Sequence, residues 1–172
     1  MKVGIVIPCH VEDMGLLAYC LNSVKQLSPK PYRVFVDIND ADSLKEVRVG
    51  LFDRLFSVGC DVVVSCDADF YLHRHVLKHV SGRRVTSFAQ FEGNLGDLQQ
   101  AFVRLFWRRC WSGLYSIPAP LWSRIKELWD GSDGSVHAIV GDDYKFVRRF
   151  CYTPLRPKNT FSILKAVRKR LC

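Results

Sequence analysis

The chain has 172 residues, of which 48% are apolar and 24% charged. That is enough for one domain with its own core, and ordinary for a water-exposed globular chain. No apolar run reaches the roughly 18–20 residues that cross a bilayer, and a net charge of +8 directs attention to anionic partners.

The first element is "VGIVIP" (3–8), a continuous apolar run closed by proline, as in a buried strand. The preceding residues carry one lysine and the stretch lacks a small-residue cleavage site, so it reads as a strand and not as a signal peptide. Residues 15–27 place Leu16, Leu17, Cys20, Leu21, Val24 and Leu27 on one helical face, and "PKP" (29–31) stops that helix. A second strand is expected over 32–40. A helix follows over 43–59, opened by Ser43 and Glu46 at capping-box spacing and closed by Gly59. "DVVVS" (61–65) is the third strand and 83–91 the fourth. Helices are expected over 94–109 and 119–129, then a loop over 130–135, a short strand over 136–140 and a helical turn or short helix over 142–150. The body, 1–152, shows no repeat or internal boundary. Residues 153–172 form an extension: a proline-bearing connector, then a basic amphipathic helix over 161–171.

Charge divides along the same line. Nine of the 25 Lys and Arg lie in 145–172 with no Asp or Glu among them, leaving 16 basic residues against 17 acidic ones before. The tail therefore has three readings: a helix on an anionic membrane with Phe161, Leu164, Val167 and Leu171 inserted, a nucleic-acid contact, or a solvated helix packed on the body. The seven cysteines are odd in number and form no C-x-x-C pair, which argues against a zinc cluster or a disulfide framework. They read as buried thiols in a reducing compartment.

Strand–helix–strand–helix–strand in the first 66 residues implies a mostly parallel sheet with helices on both faces. Such sheets bind ligands beyond the carboxyl ends of their strands, where "PCH" (8–10), "DIND" (37–40) and "DAD" (67–69) fall. Along an extended strand Asp67 and Asp69 share a side, roughly 7 Å apart, while Ala68 points away. Two carboxylates this close need a compensating cation. Hard oxygen ligands suit Mg²⁺ or Mn²⁺, with phosphates and waters completing the shell. The competing reading is a solvated acidic turn.

"VGIVIPCH", "VFVDIND", "VRVGLFDRLFSVGCDVVVSCDADF", and "WSGLYSIPAPLWSRI" followed by "VGDDYKFVRRF" occur in that order. This ordered set resembles the nucleotide-sugar glycosyltransferases of the GT-A fold, most closely family 2, over roughly residues 3–150. The resemblance implies a single α/β domain with a Rossmann-like, mostly parallel central sheet flanked by helices. It implies metal-dependent transfer of a sugar, with inversion, from a nucleotide-diphosphate donor to an acceptor hydroxyl. Carried over by residue, Asp69 ligates Mn²⁺ or Mg²⁺, and Asp67 holds the ribose or a metal-bound water, with Ala68 between them in the motif. Asp37 meets the base, with Asn39 or Asp40 as second choices. Pro8, His10 and Arg48 lie near the nucleotide. Asp143, or Asp142 beside it, is the catalytic base. Trp111, Gly113 and Tyr115 face the acceptor. Ile38 interrupts the usual acidic pair of the second strand, and "DD" replaces a more common Glu-Asp.

His75 and His79 would share a helical face and permit a metal site, but no third ligand is evident and a solvated helix with His73 is the favoured reading; His137 falls in the expected strand 136–140. Trp107, Trp111, Trp122 and Trp129 offer either a sugar platform or core packing. A nucleotidyltransferase on a related fold is one rival, weakened because "PCHVEDMG" supplies no glycine-rich basic loop. A non-enzymatic module holding nucleic acid or membrane through its tail is the other. The expected location is cytoplasmic, with the tail on the inner membrane face and an acceptor that is a glycan or lipid-linked.

Overall fold

A computed structural model describes residues 1–40, 44–90, 114–130 and 133–154. Seven strands form one sheet: β1 (Val3–His10), β2 (Arg33–Asn39), β3 (Val62–Ser65), β4 (Phe70–Leu72), β5 (Val85–Gln90), β6 (Tyr115–Pro118) and β7 (Tyr144–Pro154). Their spatial order is β2-β1-β3-β6-β5-β7-β4. The pairings orient five of the seven strands alike, with β6 and β4 running against them. The sheet is thus mostly parallel in strand direction. β1 and β3 are central, which explains their unbroken β-branched sequences: residues facing either side must be apolar, and Ile5, Val6, Ile7, Val62, Val63 and Val64 are fully buried.

Helices cover both faces. On one, α1 (Met14–Lys25) lays Leu17, Cys20 and Val24 over Ile5, Ile7, Val62 and Val64. On the other, α2 (Leu44–Ser57), α3 (Ala119–Leu128) and α4 (Asp133–Val140) enclose Phe52, Leu55, Val63, Ile117, Trp122, Ile125 and Trp129. An aromatic column holds this second layer together, with Phe52 stacked on Trp122 at 4.8 Å and Trp129 edge-on to both. Asp53 pins α3 to α2 by accepting hydrogen bonds from Trp122 Nε1 (2.8 Å) and Lys126 Nζ (2.6 Å). Burial works to raise the Asp53 carboxyl, but these two donors outweigh it and hold it below the usual range. Gly4 lets α2 approach β1: a Cβ there would sit 2.7 Å from Leu55 Cδ1 and 2.9 Å from Cys60 Sγ.

The expected strand over 136–140 is instead α4. Val136 and Val140, four apart, both enter the core, a helical spacing that a five-residue apolar run does not separate from a strand. The expected helix over 142–150 is instead β7. Gly141, at φ +55°, ends α4 in the left-handed region that favours glycine, and the chain then runs beside β5 with Val85 opposite Tyr144. Thr153 and Pro154, expected in the connector, extend β7 and pair with β4. β4 and β6 carried no strand expectation. The helices expected over 94–109 and 161–171 lie outside the described residues.

Candidate active site

The carboxyl ends of β1, β2 and β3 reach the same rim. Register places Pro8 beside Asp37 and His10 beside Asn39, and Cys66 N donates to Val6 O, so residue 67 emerges level with the end of β1. Parity then decides which groups share a face. Val62, Val64, Cys66 and Ala68 belong to the α1-side core. Val63 belongs to the α2-side core, so Ser65 and Asp67 follow it; past the strand, Phe70 N donates to Asp67 O and closes a turn over Ala68 and Asp69. Ala68 is only 3% exposed, whereas Asp67 and Asp69 are both partly exposed. On β1, Val6 faces α2, which puts Pro8 and His10 on that side, and on β2 Phe35 does likewise, carrying Asp37 and Asn39 with it.

The centre of this group is an ion pair. Arg48 in α2 donates from an Nη to Asp67 Oδ1 at 2.7 Å. The arginine is buried while the Asp67 side chain is 30% exposed. A buried guanidinium needs a partner, and this one fixes Asp67 from beneath and cancels one negative charge of the pair. Asn39 Nδ2 donates to Asp37 Oδ2 at 3.1 Å, which orients the β2 carboxylate. His10 Nδ1 accepts from Glu12 N at 3.3 Å and caps the turn into α1. Below the rim, the Cys20 and Cys66 sulfurs lie 3.8 Å apart in full burial. Burial, then Cys20 and the two aspartates, push the Cys66 thiol well above its ordinary value.

Removing the buried member of the Arg48–Asp67 pair is predicted to cost about 1–3 kcal/mol, less than a fully buried pair because Asp67 reaches solvent. Arg48→Met should therefore lower the thermal midpoint by several degrees and leave a folded circular-dichroism spectrum; an unchanged midpoint would show that the pair contributes nothing.

The residues expected at the nucleotide end are thus together: Pro8 beneath, and His10, Asp37, Asn39, Arg48, Asp67 and Asp69 around it, with Asp40 exposed at the end of β2. Three expectations are corrected. Ala68 packs into the core on the opposite side and offers no side chain to a ligand. Tyr115 is 2% exposed, beside Phe52 at 6.5 Å and edge-on to Trp129, so it builds the floor and does not meet an acceptor. Asp142 and Asp143 are at the other rim. Asp143 O accepts from Val85 N, at the start of β5, and its carboxylate lies 4.0 Å from Arg124. Strand rise and spacing put Asp143 on the order of 20 Å from Asp67. Trp111 and Gly113 lie outside the described residues. Trp122 and Trp129 are core residues. His75 and His79 flank and end a 3-10 turn, not an α-helix, and no group of three metal-competent side chains occurs among the described residues.

Topology brings a different pair of acids toward the site. α3 starts after Pro118, opposite Val62 at the far rim, and climbs α2 from Trp122 against Phe56 to Trp129 against Phe52. Trp129 reaches Tyr115, which pairs with Ser65 at the end of β3. Asp130 follows, exposed, and Asp133 opens α4, which returns to the far rim. Asp130 and the start of α4 at Asp133 therefore lie toward the same end of the sheet as Asp67 and Asp69. The glycine and serine between them mark a turn in sequence. The placement of Asp133 depends on α4 being a helix.

No family model matches the chain, and no curated protein matches it by sequence. Solved structures do match by fold. The S. aureus TarS crystal structure aligns at TM-score 0.54 and 13% identity over 97% of this chain and 39% of that one. A glycosyltransferase involved in glycosylation of the major capsid of PBCV-1 aligns at 0.54 and 6% identity, over 94% of this chain and 98% of that one. S. aureus TarS 1–349 in complex with UDP-GlcNAc aligns at 0.56 and 11% identity, over 92% and 60%. The chain thus spans 39% and 60% of the two TarS chains, under two thirds of each, but nearly all of the PBCV-1 protein. It adopts the GT-A-like, Rossmann-like fold of glycosyltransferases.

Proposed function

We propose that the chain is a glycosyltransferase that moves a sugar from a nucleoside-diphosphate donor to an acceptor hydroxyl, with inversion. The observation that carries this reading is the convergence of His10, Asp37, Asn39 and the Arg48–Asp67 pair on one side of one rim, with Asp69 in the turn that follows, on a fold shared with a TarS structure that holds UDP-GlcNAc. Asp37 and Asn39 present an acceptor and donors suited to the edge of a nucleobase. Arg48 holds Asp67 rigid toward the ribose. Asp69 suits Mn²⁺ or Mg²⁺ as a hard oxygen ligand, and the ion would neutralise the diphosphate as it leaves.

The remaining need is a base. As the acceptor oxygen forms its bond to the anomeric carbon and the diphosphate oxygen departs from the other side, the hydroxyl proton must pass to a carboxylate on the acceptor side. Asp130, exposed after α3, or Asp133, which opens α4, takes that role in place of Asp142 and Asp143.

The test is a thermal-shift screen of UDP-, GDP- and dTDP-sugars with and without Mn²⁺. One nucleotide series should raise the midpoint by several degrees only when Mn²⁺ is present. No shift with any series at millimolar ligand would overturn the donor assignment.

A further inference from the structure

The two edges of the sheet are built differently. β4, at one edge, has three residues, and its Phe70 and Leu72 are buried, a short edge that cannot template another strand. β2, at the other edge, has seven. It pairs with β1 in unbroken register from Arg33 to Asn39, and no strand lies on its other side among the described residues. Its sequence, "RVFVDIN", contains no proline or lysine and no bulge, and its two charges, Arg33 and Asp37, both lie on the α2 side. On the α1 side of the sheet Val34 is only partly covered, Val36 is 36% exposed and Ile38 47%. A β-branched row of this kind stands in water along the outer edge of the described sheet.

We propose that β2 pairs with β2 of a second copy of this chain, antiparallel about a two-fold axis at Val36, to give one continuous sheet. The strand is self-complementary in that register. Val36 meets Val36 of the partner, and Val34 meets Ile38 on both sides of the axis, so the exposed row becomes a cross-strand apolar ladder. On the opposite face Arg33 lies diagonal to Asp37 of the other copy, twice by symmetry, within reach of a long side chain. Shifting the register by one residue would move the apolar row to the wrong face. Because paired strands run in opposite directions, the two site rims point to opposite ends of the joined sheet.

The experiment is sedimentation velocity on the full chain from about 1 to 100 μM, spanning weak and moderate dissociation constants, for wild type, Val36→Lys, Arg33→Asp and the swap Arg33→Asp/Asp37→Arg. The wild type should dimerise in this range. Val36→Lys and Arg33→Asp should each weaken the dimer at least about tenfold, a change of about 1.4 kcal/mol, and the swap should restore it. Circular dichroism establishes that each variant is folded. A monomeric wild type at the highest concentration overturns the proposal. So does a dimer that both single variants leave intact, or a swap that fails to recover association while folded. None of these readouts depends on catalysis, so failure of the dimer and failure of the transferase reading are separable.

Discussion

Asp69→Ala is expected to remove Mn²⁺-dependent binding of UDP by at least about a hundredfold, roughly 2.7 kcal/mol, in a calorimetric titration. The chain should stay folded, because Asp69 is partly exposed and does not belong to either core. The neighbouring variant should behave differently. Asp67→Ala strands the buried Arg48 guanidinium, so it should lower the thermal midpoint as well as donor affinity. The contrast between the two variants is the informative quantity, since a merely acidic rim would make them equivalent. Equal, metal-independent UDP affinity in wild type and Asp69→Ala would overturn the metal assignment.

The donor end of the site was legible in sequence because its signals are local. A buried strand announces itself by an apolar run, and its last residues are fixed by where that run stops, so residues 8–10, 37–40 and 67–69 could be placed on one rim before any contact was known. Period-2 alternation placed Asp67 on the α2 side, but the expectation that Asp69 shares that side needs an extended chain, and residues 67–70 close a turn instead. Arg48 was legible only through family resemblance. Its 2.7 Å bond to Asp67 depends on how α2 lies across β3, which no local spacing encodes. The acceptor end was misread at one point, and the error propagated. "VHAIV" and "DDYKFVRRF" are short runs in which strand and helix compete, and tertiary packing of Val136 and Val140 decided between them. Exchanging those two elements puts Asp142 and Asp143 at the rim opposite Asp67, and brings Asp130 and the start of α4 toward the Asp67 end. Tyr115 failed for a related reason: its strand pairs with β3 through Ser65, and an aromatic in a central strand is covered from above.

That exchange makes the second large prediction sharp. Transfer needs an acid that accepts a proton at the rim where the donor sits, and removing a general base typically costs 10²–10⁴ in rate. Asp130→Asn or Asp133→Asn should therefore lower kcat by at least about a hundredfold while UDP binding in the presence of Mn²⁺ is unchanged. Asp143→Asn should do the reverse of what a base would do. It loses the carboxylate 4.0 Å from Arg124, an exposed pair worth about 0–1 kcal/mol, and should keep kcat within about twofold. Two acids three residues apart at the start of a helix do not serve equally, so one of the pair should carry nearly all of the effect. Donor titration beside single-turnover kinetics on the same four asparagine variants, Asp130, Asp133, Asp142 and Asp143, separates binding from chemistry. A collapse of kcat in Asp142→Asn or Asp143→Asn, with Asp130→Asn and Asp133→Asn active, would mean that α4 and β7 are wrongly ordered about the sheet. The aromatic column from Phe56 through Trp122 and Phe52 to Trp129 argues against that outcome, because it fixes the direction of α3 and hence the end at which the chain turns.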